Sequence, residues 1–325
     1  MSSVSVQIVT FNSADDIQSC LEAVKNQVNP VQNIVIIDNH SKDQTVAKIK
    51  EWQSANRDFP LQLIENKQNT GFAPAHNQAM QLTETSFVVV LNPDVILDPH
   101  YIKTIITLLE SDRGIGSATG KLYRDSSKKT LDSTGISIKL NRRAYDRGAN
   151  EDDLGQWDGL TNVFGVSGAA AVYRRKMIDE ISIDGEFYDE VFFAYKEDVD
   201  VAWRARLLGW EARFVPQAVA THKRGWKEEK KRSDVPLFIR HHSYINRYYT
   251  ILKNDQWFFL ILHLPFIIFY ELVAFLYAIM SERELLKAWK AFSYQYQAMM
   301  LKRKKIQAKK KESSRTLYRL FKGIW

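Results

Sequence analysis

The chain has 325 residues, enough for one large domain or a domain with an appendage, and 45% hydrophobic residues can build a sizeable core. The formal net charge of +7 is uneven: residues 302–325 hold ten basic and one acidic side chain (+9), which leaves −2 for the rest. The basic tail could bind nucleic acid or anionic lipid, or simply be solvated, and its position excludes a basic main body. The single cysteine, Cys20, excludes an internal disulfide and fits the cytosol; we expect it in the core. The first ten residues carry no signal-peptide pattern.

The first third of the chain alternates apolar strand patterns with helix patterns. In chain order we predict strand 4–10, helix 14–26, strand 33–38, helix 41–54, strand 61–65, helix 72–82, strand 86–91 and helix 98–111. Ser41 begins a capping-box pattern, and Asp98-Pro99 is typical of a helix start with proline at the first position. Short β-branched strands between helices predict the α/β class, with a mostly parallel central sheet flanked by helices.

The middle of the chain is less periodic. Residues 114–165 are rich in Gly, Asp and Arg, and we interpret them as loops and short strands that line an acceptor cleft. Residues 163–173 form a predicted strand with small central residues, which indicates either close approach of a ligand or tight core packing. Another strand is expected near 212–215.

The last third is helical and apolar, then basic. Residues 236–253 are predicted to be helical, and 257–280 are long and apolar enough to span a membrane. Because Pro265 and Glu271 interrupt that stretch, we favour a helix or hairpin in the membrane interface over a true span or a soluble packing or dimer helix. An amphipathic helix at 281–301 and the basic tail would then dock on an anionic leaflet, which predicts a cytoplasmic, peripheral protein on the inner face of the cell membrane.

Polar residues follow four of the predicted strands. They are Thr10 and Asn12, then Asp38 and Asn39, then the segment 66–77, and finally Asn92 and Asp94. One such terminus could be an ordinary helix cap, but in parallel sheets ligands bind beyond the carboxyl ends of the strands. A second acidic group, Glu197, Asp198 and Asp200, begins a predicted helix. Two acidic sites at the ends of apolar elements indicate a metal-assisted transfer with a general base.

Five motifs occur in one order: Val9-Thr10-Phe11-Asn12, Asp38 to Asp43, Asn69 to Ala73, Asn92-Pro93-Asp94 and Glu197 to Asp200. Over roughly residues 4–225 this order resembles family 2 inverting glycosyltransferases of GT-A (Rossmann-like) fold, especially the rhamnosyltransferase-like branch. The resemblance implies a nucleotide-sugar donor, a divalent cation (Mn²⁺ or Mg²⁺) and a sugar-bearing acceptor.

The resemblance also implies a division of the chain. Residues 1–232 would be the GT-A catalytic domain, with a nucleotide-sugar half at about 1–112 and an acceptor half at about 113–232. The helical region would follow at 233–301 and the basic tail at 302–325.

The polar residues that follow the predicted strands form one edge of the sheet, which we call the rim. The resemblance assigns most of the rim to the donor. The donor-binding residues would be Thr10, Asn12, Asp38, Asn39, Gly71, Phe72, Asn92, Asp94, Lys223 and Arg224. Asp38 could instead cap a helix, and Gly71 could be a plain turn glycine. Asn92 stands where the family usually carries the first acid of an Asp-x-Asp metal motif, so Asp94 is the expected metal ligand. Nitrogen ligation by His222, which could equally be structural, would favour Mn²⁺. Lys223, Arg224 and Lys227 could close over the diphosphate.

The acidic helix start would hold the chemistry. Asp198 is the expected general base, since an inverting transfer needs one carboxylate to take the proton of the acceptor hydroxyl. Glu197 would bind the acceptor. Trp203 would line the acceptor site or pack in the core, and Asp200 would cap the helix or pair with Arg204.

The expected reaction transfers L-rhamnose from dTDP-L-rhamnose to a hydroxyl of a lipid-linked or cell-envelope glycan. A UDP-hexose or UDP-N-acetylhexosamine donor is the alternative. A nucleotidyltransferase would normally need a Gly- and basic-rich N-terminal loop, which Thr10–Ser13 does not provide. A non-catalytic membrane or nucleic-acid binding protein would depend on the basic tail alone. We expect no nucleic-acid partner, and a homodimer is possible.

Overall fold

A ten-stranded mixed sheet forms the centre of the molecule in the computed structural model, which describes residues 2–223 and 235–324. The strands are β1 (Val4–Thr10), β2 (Asn33–Asp38), β3 (Leu61–Glu65), β4 (Phe87–Leu91), β5 (Val95–Leu97), β6 (Ile115–Tyr123), β7 (Leu131–Ser133), β8 (Ile136–Ile138), β9 (Ala144–Asp146), β10 (Asn162–Val163), β11 (Ala170–Arg174) and β12 (Glu211–His222). The helices are α1 (Ile17–Lys25), α2 (Thr45–Ala55), α3 (Phe72–Gln81), α4 (Tyr101–Ser111), α5 (Arg175–Ile181), α6 (Glu197–Leu207), α7 (Leu237–Asn254), α8 (Trp257–Leu262), α9 (Leu264–Ser281), α10 (Ala288–Lys309) and α11 (Ser314–Tyr318).

The strand order is β10-β12-β6-β11-β4-β1-β2-β3, with β5 beside β12 and β7 beside β6. β4, β1, β2 and β3 are parallel, β6 and β12 are parallel, and β11 runs antiparallel between β4 and β6. β8 and β9 form a separate hairpin. The predicted fold class is confirmed: a mostly parallel central sheet is flanked by helices and followed by a helical C-terminal region.

Both faces of the sheet are buried, which explains the continuous apolar strands. Alternation within β4 shows this directly, since Val89 packs in one core cluster while Val88 and Val90 pack in the other. The first cluster lies against α1, α2 and α4, and it contains Cys20 as predicted. The second lies against α5 and α6.

Several element boundaries differ from the predictions. Residues 115–123 form a fully buried nine-residue strand in what we expected to be loops and short strands. The predicted strand 163–173 divides into β10 and β11, separated by the irregular segment 164–169. Asp98-Pro99 does not begin a helix, because α4 starts at Tyr101 and the Asp98 carboxylate pairs with Lys128.

The C-terminal region contradicts the picture of a separate basic tail. The expected boundary at residue 301 falls inside α10, and basic side chains beyond it bind the main body. Lys302 Nζ lies 2.7 Å from Asp189, and Lys305 Nζ lies 2.6 Å from Asp184. Phe321 packs in the second core cluster. These residues are therefore held against the main body, which reduces the basic charge available to a lipid surface.

Helix α9 has the length and composition of a membrane span. Its mean hydropathy is 1.9, and only 11% of it is buried. Its apolar side chains therefore form a large exposed surface next to the main body.

Candidate active site

The ends of β1 and β2 are joined by polar side chains. The Thr10 hydroxyl donates to Asp38 Oδ1 at 2.8 Å, and the Ser41 backbone N–H donates to Asp38 Oδ2 at 2.9 Å. Asn12 Oδ1 accepts from the backbone N–H of Lys42 at 2.8 Å. Ser41 therefore holds Asp38 instead of capping α2, a correction of the capping-box prediction. Asp43 satisfies the start of α2, because it accepts from the Thr45 N–H at 3.0 Å. Asp38 is almost fully buried, so it shapes the rim mainly through these contacts.

Asn39, which follows β2, is hydrogen-bonded to the turn that contains Gly71. Its side chain donates to the Gly71 carbonyl at 2.9 Å. Gly71 has φ +97°, and a Cβ there would lie 2.6 Å from the Phe193 ring. The glycine therefore makes room for the Phe193 ring, and its contact with a donor stays a prediction. Phe72 follows it, and its ring lies tilted against His76, which is buried without a hydrogen-bond partner in the described part of the chain.

The predicted metal ligands come together. His222 ends β12, and its Nε2 lies 3.3 Å from Asp94 Oδ1. On the other side of the ring, Nδ1 lies 2.8 Å from the buried Asp132 Oδ2. Burial disfavours the charged imidazole, but the hydrogen bonds to Asp132 and Asp94 outweigh it and raise the pKa of His222 to about 9. Sequence reasoning missed Asp132, because it lies on the three-residue strand β7 in a segment without clear periodicity.

These side chains fit a divalent cation. Asp94 Oδ1 is buried and faces His222 Nε2 at 3.3 Å, so a cation that displaces the imidazole proton could bind between these two atoms. A carboxylate on the far nitrogen of a histidine is the usual arrangement that orients a metal-binding imidazole. Among residues 2–223 and 235–324, no group of three or more His, Cys, Asp or Glu side chains could hold a metal ion by itself. A cation here would therefore need oxygens from a diphosphate or from water as well.

The turn that carries Asn92 and Asp94 is close to the acidic start of α6. The Asn92 N–H donates to the Ala169 carbonyl at 2.9 Å. The neighbouring Gly168 N–H points to Asp198 Oδ2 at 3.4 Å. Residues 168–169 thus connect the two acidic sites that the sequence placed far apart.

Asp198 and Glu197 lie in a cavity of about 260 Å³. Burial raises the pKa of Asp198, the Lys196 ammonium opposes this shift, and the Asp146 carboxylate adds to it. Burial and the charge of Asp198 raise the pKa of Glu197 to about 8. Burial thus raises both pKa values, and the charge of Asp198 disfavours ionisation of the adjacent Glu197, as in acid–base sites that act near neutral pH.

The segment before these acids has an unusual backbone that α7 stabilises. Phe193, Tyr195 and Lys196 have φ values of +58°, +73° and +70°. The Asn246 side-chain amide donates to the carbonyls of Phe192, Ala194 and Tyr195, at 2.8 to 2.9 Å. Positive φ costs free energy for these residue types and persists only when the surroundings enforce it. The C-terminal helices therefore take part in forming the site, which the sequence analysis did not anticipate.

Asp200 points away from the cavity into a buried ionic cluster. It accepts from Arg204 at 2.9 Å, as one of the two predictions for this residue expected, and lies 3.0 Å from the ammonium of Lys253 in α7. Burial opposes ionisation, but Lys253 and Arg204 lower the pKa of Asp200 below its usual value. Lys253 also lies 2.5 Å from Asp189. Asp200 is therefore an anchor for α7.

The remaining predicted site residues are Trp203 and the flap candidates. Trp203 is buried and packs edge-on against Phe164 and Phe321, as the core alternative expected, and it also lines a cavity beside α6, so its role as an acceptor residue stays a prediction. Lys223 is exposed beside Asp94, whose carbonyl accepts its N–H at 3.0 Å. Arg224 and Lys227, the other flap candidates, lie outside the described residues.

The chain is similar in sequence to curated glycan synthases. Poly-beta-1,6-N-acetyl-D-glucosamine synthase of Staphylococcus epidermidis is 22% identical over 222 residues, which are 66% of this chain and 48% of that protein. The chain thus spans about half the length of the curated relatives it matches.

Two solved structures show the same fold. A crystal structure of GalNAc-T7 with UDP, GalNAc and Mn²⁺ has a TM-score of 0.60 at 13% identity, and covers 78% of this chain and 49% of that one. A crystal structure of Staphylococcus aureus TarS 1–349 with UDP-GlcNAc has a TM-score of 0.53 at 17% identity, and covers 78% and 68%. Both support the GT-A fold.

The model of the family described as Glycosyl transferase family 2 matches residues 5–182, more than half of the chain. This span includes four of the five motifs and the loop that connects the two acidic sites. The chain belongs to glycosyl transferase family 2.

Proposed function

We propose that this glycosyltransferase transfers an N-acetylhexosamine from a UDP-linked donor to a hydroxyl of a cell-envelope glycan, with inversion at the anomeric carbon. The observation that carries the proposal is the pairing of Asp198, in its cavity, with the turn of Asp94 and His222 through residues 168–169. The donor would bind in the nucleotide-sugar half, about 1–112, and the acceptor in the half at about 113–232.

Asp198 is the proposed general base. Its carboxylate borders a cavity that can admit one hydroxyl group, and its raised pKa strengthens it as a proton acceptor. As the acceptor oxygen attacks the anomeric carbon, its proton passes to Asp198 and the bond to the UDP oxygen breaks on the opposite side. Glu197, whose raised pKa keeps it protonated near neutral pH, can donate a hydrogen bond to the acceptor.

Asp94 and His222 are the proposed protein ligands of Mn²⁺ or Mg²⁺. Such a cation would neutralise charge that develops on the departing diphosphate. Asp132 would orient His222, and the exposed Lys223 would lie near the diphosphate. The Mn²⁺ in the GalNAc-T7 structure supports this dependence on a divalent cation.

The comparisons support UDP-N-acetylhexosamine better than dTDP-L-rhamnose. The curated relative makes poly-N-acetylglucosamine, and TarS was solved with UDP-GlcNAc. We therefore favour the UDP-HexNAc alternative over the rhamnose donor and the rhamnosyltransferase-like branch.

We further propose that the enzyme works on the inner face of the cell membrane. The exposed apolar side chains of α8 and α9, including Trp257, Phe258 and Leu276, support docking at a lipid interface.

A donor screen tests the proposed function. The full chain is incubated with UDP-GlcNAc, UDP-GalNAc, UDP-glucose or dTDP-L-rhamnose, with Mn²⁺, Mg²⁺ or EDTA, and nucleotide release is measured. We expect release of UDP from a UDP-HexNAc, dependent on the cation. Turnover of dTDP-L-rhamnose alone would reject UDP-HexNAc as the donor. Full activity in EDTA would reject the proposed metal site.

A further inference from the structure

A second cavity lies directly beside the one that holds Asp198. It has a volume of about 510 Å³ and lies between α7, α9 and the segment 142–145. This volume is in the range of small-molecule sites. Five residues line both cavities: Ala144, Tyr145, Lys196, Val199 and Ser243. A molecule in the larger cavity would therefore reach to within one side chain of the proposed base.

The far wall of the larger cavity is apolar. Helix α9 contributes Val273, Ala274, Tyr277 and Ala278. Val273 and Tyr277 are each 46% exposed, so this wall continues into the exposed apolar surface of α9. The cavity is thus open toward the surface that we propose to contact lipid. An apolar chain could extend from it without crossing polar surface.

The wall of the larger cavity that lies nearest to Asp198 carries positive charge. Arg143 is exposed, and within residues 2–223 and 235–324 neither it nor Lys196 forms a salt bridge. Arg142 and Arg247 also line the cavity, but their charges are neutralised by Asp255 and Glu271. Arg143 and Lys196 therefore mark the place where an anionic group can bind, between the apolar wall and Asp198.

We propose that the larger cavity binds the lipid part of an amphiphilic acceptor, in which a phosphate or diphosphate joins a sugar to a long apolar chain. The sugar hydroxyl would lie at Asp198, the phosphate at Arg143 and Lys196, and the chain along α9. This inference rests on the proposed function, whose acceptor class it specifies. A second copy of the chain is a poorer occupant, because the cavity is concave and combines cations with an apolar wall.

Binding of farnesyl diphosphate to the full chain tests the proposal. Farnesol and inorganic diphosphate serve as the apolar and anionic halves of the probe. Binding is measured by intrinsic tryptophan fluorescence and by calorimetry. We expect farnesyl diphosphate to bind at least 10-fold more tightly than farnesol or inorganic diphosphate. Equal affinity for farnesol would overturn the anionic site, and equal affinity for inorganic diphosphate would overturn the lipid cavity.

Two variants act on different walls. Ala274→Phe fills the cavity, and Arg143→Glu reverses the charge; each is expected to weaken farnesyl diphosphate binding about 10-fold or more. Arg57→Glu, an exposed charge reversal outside both cavities, is the matched control and should bind as the wild type does. Unchanged binding in both cavity variants would overturn the proposal. So would a concentration-dependent dimer that blocks the probe.

Thermal stabilisation by UDP separates this inference from the proposed function. Both cavity variants should keep the UDP-induced rise in Tm, which also shows that they are folded. If UDP binds and farnesyl diphosphate does not, the lipid site is wrong while the glycosyltransferase proposal stands. If the probe binds and no nucleotide sugar is turned over, the proposed function fails instead.

Discussion

Asp198 and Gly168 are neighbours: the carboxylate Oδ2 lies 3.4 Å from the backbone nitrogen of the glycine. The next carbonyl, that of Ala169, accepts from the Asn92 N–H at 2.9 Å. The proposed base and the proposed metal-binding turn are thus fixed to the same two-residue segment. Their separation depends on the backbone more than on flexible side chains, which suits a reaction between a bound donor and an acceptor.

Asp198→Asn is expected to lower the rate of transfer by about 10²- to 10⁴-fold, because the amide cannot accept the hydroxyl proton. Donor affinity should change little, and UDP should still raise Tm. Steady-state kinetics and thermal shift measure the two effects. Asp179→Asn, an exposed change on α5, is the matched control. A variant at 198 with near wild-type transfer would eliminate this residue as the base.

The acid limb of the pH–rate profile should lie above the ordinary range of an aspartate, since burial raises the pKa of Asp198. Activity is then lost as the pH falls and the base becomes protonated. Asp146→Asn removes a negative charge that raises this pKa, so its limb should move to lower pH. Lys196→Met removes the opposing ammonium and should move the limb to higher pH. Profiles of kcat/KM for the three proteins check the order; a reversed order would contradict it.

Asp132→Asn should weaken activation by Mn²⁺ by about 10- to 100-fold, because His222 loses the carboxylate that orients it. His222→Ala should cost at least as much. Activity is titrated against Mn²⁺ at saturating donor, and direct Mn²⁺ binding in the presence of UDP gives a second readout. Asp125→Asn, exposed and outside the site, should titrate like the wild type. Equal Mn²⁺ requirements in all four proteins would exclude a metal role for this pair.

Asn246→Ala should loosen the segment before Glu197. The change leaves three carbonyls without their donor, and each such loss in a buried place costs about 1–3 kcal/mol. We expect a lower Tm and a fall in kcat that exceeds any change in donor KM, because the strained backbone relaxes. Thr250→Ser on the same helix keeps its hydroxyl bond and serves as the control. An unchanged kcat would show that α7 is dispensable for positioning.

Lys253→Met should destabilise the protein by about 3–5 kcal/mol, since it leaves Asp189 and Asp200 buried without their shared cation. Burial opposes ionisation of both groups, but Lys253 and other cations lower their pKa values. Their stabilisation is therefore complete above the unfolded aspartate value of about 3.9 and is lost as the pH falls through the folded values. Urea unfolding from pH 7 to about pH 2 should show a smaller acid-induced loss of stability in the variant than in the wild type. A parallel pH dependence would disprove this assignment.

The sequence predicted the structure well where hydrophobic periodicity and the order of strands and helices determine it. The apolar strands β1 to β4 and the helices between them follow the predicted pattern, because both faces of this sheet are buried. Asp94 and His222, which the resemblance assigns to the metal, also lie in contact, and residues 168–169 connect the turn of Asn92 to Asp198.

Features that arise from contacts distant in sequence could not be predicted. Asp132 matters only because β7 pairs with β6 and brings it to His222. Gly71 is explained by the ring of Phe193, more than 100 residues later. The role of Asn246 depends on positive φ values that no periodicity reveals.

The ion pairs of α10 and α7 with the main body have a practical consequence. Lys253 and Lys302 both neutralise Asp189, and both lie beyond residue 232. A fragment that stops at 232 would keep the carboxylates of Asp189 and Asp200 but lose Lys253 and Lys302, so that Arg204 alone would remain beside Asp200. It would also lose the Asn246 amide that braces the backbone before Glu197. Removing the apolar C-terminal third to obtain a soluble fragment would thus disrupt the proposed active site, and detergent or lipid nanodiscs around the intact polypeptide are the better route to biochemistry.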